Sequence, residues 1–147
     1  MTIDSAIDIL VSEVGPRDGL QSIDAVLPLA AKIAWIDAEY AAGVREIEVG
    51  SFVPAALLPQ LADTAAVVAH ARTLSGLTVA VLVPNAKGAA AAIAAGAHKL
   101  TLPLSASETH SLKNLRRNHA QVLAEVDRKS TRLNSSHSTL SRMPSSA

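Results

Sequence analysis

The sequence predicts an α/β fold built on a parallel sheet, and three observations carry that prediction. Short apolar, β-branched runs alternate with longer segments of helical apolar spacing. The alternation repeats about four times, as crossover-connected parallel strands require. Gly or Pro stands close to the end of most runs, where a strand must hand over to a turn.

In chain order, residues 7–14 form the first run and end at Gly15-Pro16. Asp24 is placed to cap a helix carrying Val26, Leu29, Ala30, Ile33, Ile36 and Tyr40 at helical spacing, closed by Gly43. "REIEVGS" follows as a short strand, with Ile47 and Val49 on one side and Glu46 and Glu48 on the other. A helix over residues 58–72 is read from Leu61, Ala65, Val68 and Arg72. Residues 77–83, "LTVAVLV", form a continuous apolar strand of the kind buried on both faces. Pro84-Asn85 ends it, and an Ala-rich helix closed by Gly96 comes next. "KLTLPL" is a fourth strand and "LRRNHAQVLAEV" a fourth helix. Two architectures fit, a doubly wound sheet and a (β/α)8 barrel. The barrel needs roughly 250 residues, so this chain of 147 residues would hold about its first half.

Composition removes several classes of function. The chain is 49% apolar and 18% charged, with formal net charge +0. Neutrality argues against nucleic-acid or membrane partners, which select a cationic face. Aromatics are only 2%, too few for base-stacking platforms. There is no Cys, which excludes disulfides, Cys-zinc sites and Cys nucleophiles. The acidic N-terminus does not read as a signal peptide, and the expectation is a cytoplasmic protein.

Ligands of parallel α/β folds sit beyond the C-terminal ends of the strands. Sorting polar residues by that rule selects Arg17, Asp18 and Gln21 after the first strand, and Glu48 and Ser51 at the end of the second. Asn85 follows the third, and Ser105, Ser107 and Glu108 follow the fourth. Each has a plainer reading. Asp18 can be a turn former in "RDG", Arg17 a solvated cation, and Asn85 an N-cap. Ser105 and Ser107 can be caps or loop formers. Glu48 resists the plain reading, because a carboxylate in a buried strand needs a cation or metal partner. The histidines show no ligand spacing, and His70 is expected on a helix surface or half buried. Any metal site would use oxygen ligands, Asp18 first, which favours Mg²⁺ or Mn²⁺ over zinc.

"EVGPRDGLQ", "IEVGSFVP", "PQLAD", "VLVPNAKG" and "SASETHSLKN" occur in this chain in one order and spacing. Together they resemble the hydroxymethylglutaryl-CoA lyase family, over about residues 7–126. That family belongs to a group of metal-dependent TIM-barrel enzymes. The resemblance implies a partial (β/α)8 barrel of about the first four βα units. It also implies retro-Claisen cleavage of a 3-hydroxy-3-methylglutaryl-CoA-like substrate into acetyl-CoA and a keto acid such as acetoacetate. Asp18 matches a ligand of the divalent cation, Mg²⁺ or Mn²⁺. Arg17 matches the residue that contacts the acyl carbonyl and stabilises the enolate, and Glu48 an acid organising the substrate and metal region. Gln21, Ser51 and Asn85 match supporting, substrate-facing rim positions. The implied partner is an acyl-CoA, and the parent enzyme is expected to be a homo-oligomer.

The family also uses a His-x-His metal pair, an Asn ligand and a loop Cys as acid/base, all from its later strands, and none of these is in this sequence. The expectation is that this polypeptide alone is inactive. Residues 127–147 shift abruptly into Ser, Thr, Arg and Asn. Their opening "DRKSTRLNSSH" resembles the translation of a sequencing adapter. The reading is a lyase segment at 1–126 followed by an artefactual or disordered tail at 127–147. Half a barrel should leave two sheet edges unpaired and an apolar concave face exposed, or be molten and aggregation-prone. Two other functions fit the same residues. One is a lyase for a related 3-hydroxyacyl-CoA or a Claisen-type acyltransferase. The other is a non-catalytic half-barrel binding module.

Overall fold

The structure, a computed structural model, describes residues 9–124. It divides into two compact units, Met1–Pro103 and Leu104–Ala147. In the first unit β1 (Ser12–Glu13) is followed by a π-helical turn, Gly15–Gly19, and then by α1 (Leu29–Ala41). β2 (Glu46–Ser51) leads through a 3₁₀ turn, Pro59–Leu61, into α2 (Thr64–Ala71). β3 (Thr78–Leu82), α3 (Ala86–Ala94) and β4 (Lys99–Thr101) complete the unit. The second unit carries α4 (Glu108–Leu115) and a helical segment over residues 119–124. The artefactual or disordered tail expected at 127–147 lies outside the described residues. No helix among the described residues is long and apolar enough to cross a membrane.

The four strands are all parallel and lie in chain order, β1-β2-β3-β4. This is the α/β arrangement the alternating pattern predicts. The core lies between the sheet and its helices. Ile47, Val49, Val79, Val81 and Val83 meet Ile36 of α1, Val67, Val68 and Ala71 of α2, and Ala89 and Ala92 of α3. Each fully buried Val or Ile contributes about 1.5–3 kcal/mol, so this layer dominates the stability of the unit.

Paired residues of a parallel sheet point to the same face. The register therefore places Glu46, Glu48, Ser51, Thr78, Ala80, Leu82, Lys99 and Thr101 on the face away from the helices, a mostly polar set. The expected apolar concave face is accordingly wrong. That face carries two carboxylates, of which Glu46 accepts an ion pair from Lys99 Nζ at 2.7 Å.

Three element expectations also change. The first strand is only Ser12–Glu13 within the described residues, and Ile9, Leu10 and Val11 are exposed. β1 pairs on one side alone, so less of the run is held in a ladder. α1 starts at Leu29 rather than after Asp24, because Pro28 pushes Leu27 out of the helical region. Helix 115–126 is interrupted at Arg116, whose φ of 53° breaks α4. A reciprocal pair of bonds between Asn118 and Gln121 then starts residues 119–124 as a capping box.

Candidate active site

The turn Gly15–Gly19 places the first two candidates. Val14 O accepts from the amides of both Arg17 (3.1 Å) and Asp18 (2.7 Å), which winds the turn tightly. Pro16 is fully buried and fixes its entry, its missing N–H costing nothing in the first turn, where amides have no intrahelical partner. Glu13 Oε1 accepts from Gly15 N at 2.6 Å. Trp35 of α1 closes over Gly15, where a Cβ would lie 2.9 Å from the indole ring. Such π-helical turns are rare and concentrate at functional sites.

Trp35 is itself held by Glu39, whose Oε1 accepts from the indole N–H. The other oxygen of Glu39 is buried without a hydrogen-bond partner. Burial raises the Glu39 carboxyl above its ordinary 4.5, the Trp35 bond opposes this, and nearby Glu13 adds to the rise. The folded state thus holds the proton more tightly than the unfolded chain. Stability from Glu39 is present below the ordinary value and lost as pH rises through the raised one. Glu39→Gln is expected to melt at a higher temperature than the parent at pH 7 and at the same temperature at pH 4, read by thermal unfolding.

Arg17 joins two strand ends. Its Nε donates to Glu48 Oε2 at 2.5 Å, and its Nη1 to Asp18 Oδ1 at 2.6 Å. Glu48 is 3% exposed, Arg17 14% and Asp18 58%. A graded line therefore runs from a buried carboxylate through a nearly buried guanidinium to a solvent-facing carboxylate. Glu48 Oε1 is buried and has no hydrogen-bond partner. An unpaired buried oxygen costs about 1–3 kcal/mol, and it points to a ligand that would satisfy it.

Ser51 reaches the same face as Glu48 through a β-bulge. Glu48 pairs with Ala80, but Gly50 pairs with the next residue, Val81, so Val49 is extra. Ser51 is buried, and its hydroxyl accepts from Val53 N at 3.3 Å. Its amide donates to Thr64 Oγ1, and that hydroxyl donates to Leu61 O. Thr64 sits so close that a Cβ on Gly50 would lie 2.5 Å from its Oγ1. Gly50→Ala is expected to cost about 1–3 kcal/mol by overpacking. Thr64→Ala should recover part of that loss in the double variant, measured by urea midpoints.

A buried lysine that the sequence reading passed over clasps the two site-bearing loops. Lys32 of α1 is 3% exposed, and its Nζ donates to Asp63 Oδ1 (2.5 Å) and Gln60 O (2.6 Å). The Gln60 side chain in turn donates to Ile23 O at 2.5 Å. The signal was present: Lys32 lies on the apolar stripe of α1 between Leu29 and Ile36.

The remaining candidates divide. Gln21 is exposed just beyond the Arg17 turn. Asn85 accepts from Gly88 N at 2.9 Å as the N-cap of α3, so its plain reading describes its bonding. Ser107 caps α4, and Ser105 Oγ lies 2.8 Å from His110 Nδ1, both in the second unit together with Glu108. His70 is half buried on α2 and pairs with Asp37 at 2.7 Å.

The donor chemistry suits a hard cation. Asp18 and Glu48 supply carboxylate oxygens, as Mg²⁺ or Mn²⁺ prefers. The number falls short, since among the described residues no group of three or more His, Cys, Asp or Glu could hold a metal ion. Magnesium takes roughly six oxygens and keeps several waters, so these two carboxylates alone would not complete its shell.

Known proteins of one family resemble this chain in sequence and in fold. Hydroxymethylglutaryl-CoA lyase of Arabidopsis thaliana is 42% identical over 105 residues, 71% of this chain and 22% of that protein. A 3-hydroxy-3-isohexenylglutaryl-CoA/hydroxymethylglutaryl-CoA lyase of Pseudomonas aeruginosa is 45% identical over 103 residues, 70% of this chain and 35% of the relative. Among solved structures, the hydroxymethylglutaryl-CoA lyase of P. aeruginosa matches with TM-score 0.81 and 37% identity, over 86% of this chain and 42% of that one. An HMG-CoA lyase of Acinetobacter baumannii in complex with coenzyme A and 3-methylmalate matches with TM-score 0.80 and 38% identity, over the same shares. The chain thus spans about a fifth to under half of the length of these relatives, and its parallel sheet matches part of their TIM barrel. The family model described as HMGL-like matches residues 8–143, and the chain belongs to that family.

Proposed function

We propose that this chain supplies the N-terminal corner of a metal-dependent carbon–carbon lyase acting on a 3-hydroxy-3-methylglutaryl-CoA-like acyl-CoA. The observation that carries the reading is Arg17 bridging buried Glu48 and exposed Asp18 at the ends of adjacent strands, with Glu48 Oε1 left unpartnered. In the retro-Claisen reaction the 3-hydroxyl loses its proton and the C2–C3 bond breaks. The electron pair moves into the thioester as an enolate, which is protonated to acetyl-CoA, and C3 leaves as the carbonyl of acetoacetate. Arg17 places fixed positive charge where the enolate oxygen gains its negative charge, usually the largest catalytic contribution. Glu48 orients that guanidinium, and Glu48 Oε1 can accept a hydrogen bond from substrate. Asp18 would hold the divalent cation, Mg²⁺ or Mn²⁺, and such a cation polarises bound oxygens. Gln21 and Ser51 border the same strand ends, and Asn85 acts by fixing the start of α3.

The acyl-CoA assignment draws support from the A. baumannii relative, whose structure contains coenzyme A. The test begins by resequencing the gene across codon 127 and expressing its complete reading frame. Acyl-CoA cleavage with Mg²⁺ should then fall by at least about 100-fold in Asp18→Ala. Unchanged turnover would remove Asp18 from the site. The polypeptide of 147 residues is expected to show no cleavage, and measurable turnover by it would overturn that expectation.

A further inference from the structure

We propose that Trp35 is a positioning residue for Arg17: its indole grips the backbone of the Gly15–Gly19 turn and so fixes where the guanidinium stands. What concerns turnover here rests on the lyase reading. The contact spans the turn. A Cβ at Gly15 would lie 2.9 Å from Trp35 Cζ2, and one at Gly19 would lie 3.9 Å from Trp35 Cη2. The same ring edge thus meets the first and last residues of the turn, with Arg17 midway between them. Backbone conformation does not explain the first glycine, since the positive-φ glycines are Gly43, Gly76 and Gly96. Close approach does: a methyl group at Gly15 would collide with the indole and with Glu13 Oε1, 2.8 Å away.

The indole is held from behind. Trp35 lies on α1 between Lys32, which is clasped by Asp63, and Ile36, which is 0% exposed in the core. Its N–H donates to Glu39 one helical turn on, a pairing of positions that share a helix face. The ring therefore carries the position of a docked helix to the turn. β1, which leads into the turn, is two residues long. Arg17 is thus fixed at both ends: Glu48 holds the guanidinium, and Trp35 holds the backbone beneath it. Misplacing a catalytic group by about 1 Å can cost roughly 100-fold in rate. Loosening the turn should therefore slow turnover while the core stays packed.

The test uses the complete reading frame. Trp35→Leu keeps an apolar side chain on α1 but removes the ring edge. Per folded molecule it should lower kcat for acyl-CoA cleavage at least about tenfold. KM should stay within about twofold, the pattern of a contact used only in the transition state. Trp35→Phe, which restores a ring, should recover most of that loss. Gly15→Ala reaches the same contact from the turn and should lower kcat similarly. In its presence Trp35→Leu should have little further effect, since residues in contact do not act additively. A second readout needs no substrate. The Arg17 Nε–H signal in a proton–nitrogen NMR spectrum, assigned by its absence in Arg17→Lys, should shift or broaden in Trp35→Leu and in Gly15→Ala. It should hold in Trp35→Phe, and core amides such as Val79 and Val81 should stay in place in all three. Should Trp35→Leu fail to fold, Gly15→Ala carries both readouts. If the parent cleaves no acyl-CoA, the lyase reading fails and the Arg17 signal alone decides the grip of Trp35. An unmoved Arg17 signal would overturn the proposal, as would, in an active parent, unchanged kcat or fully additive losses.

Discussion

Arg17→Gln in the complete reading frame is expected to lower kcat by roughly two to three orders of magnitude. It should also destabilise the fold by about 3 kcal/mol, because Glu48 is left as a buried, uncompensated carboxylate. The two effects separate in a second variant. Arg17→Gln combined with Glu48→Gln removes the stranded charge, so most of the lost stability should return, read by thermal unfolding. Turnover should not return, because the cation facing the enolate is still absent. Recovery of turnover in the double variant would reduce Arg17 to a structural partner of Glu48.

The second large effect lies away from the proposed chemistry, at the clasp between α1 and the loop before α2. Asp63→Ala leaves the Lys32 ammonium in a position 3% exposed, with only the Gln60 carbonyl beside it. Breaking a buried pair from that side costs about 3–5 kcal/mol. Lys32→Met is the milder change. Asp63 is 30% exposed and can turn to water, while the Met side chain fills the apolar stripe. Its cost should stay below about 2 kcal/mol, the loss of charge-assisted bonds alone. Urea midpoints that rank the two variants in the opposite order would show that the Lys32 environment is wetter than its burial indicates.

The order of elements was legible because apolar periodicity is local. "LTVAVLV" can be little other than a buried strand, and the Ala-rich run after Asn85 little other than a helix. Lengths were less legible, since they depend on partners. β1 shrank because a single neighbour holds it, a fact that no stretch of residues 7–14 contains. The helix boundary at Pro28 was readable and was outweighed by the cap at Asp24. α4 escaped because it is a polar helix, with its Ser107 cap as the one local sign. In the site, Arg17, Asp18 and Glu48 stood out as charges where turns and buried strands do not need them. What the sequence reading did not contain was Arg17 spanning 31 positions to reach Glu48, because that contact exists only once β1 and β2 are neighbours. Asn85 shows the converse: a residue at the right strand end whose side chain is committed to its own helix.

The extra residue at Val49 has a consequence for how this strand tolerates length changes. Upstream of it, odd and even positions alternate between the helices and the site in one phase. Downstream, the phase is reversed. Deleting Val49 would make the ladder regular and keep Ser51 on the face of Glu48, whereas straightening the bulge without removing a residue would turn Ser51 toward the helices. A substitution scan along β2 would miss this, since Val49 tolerates other apolar side chains in principle. A scan of single-residue deletions and insertions would expose it, as a position where one residue can be removed without turning Ser51 over.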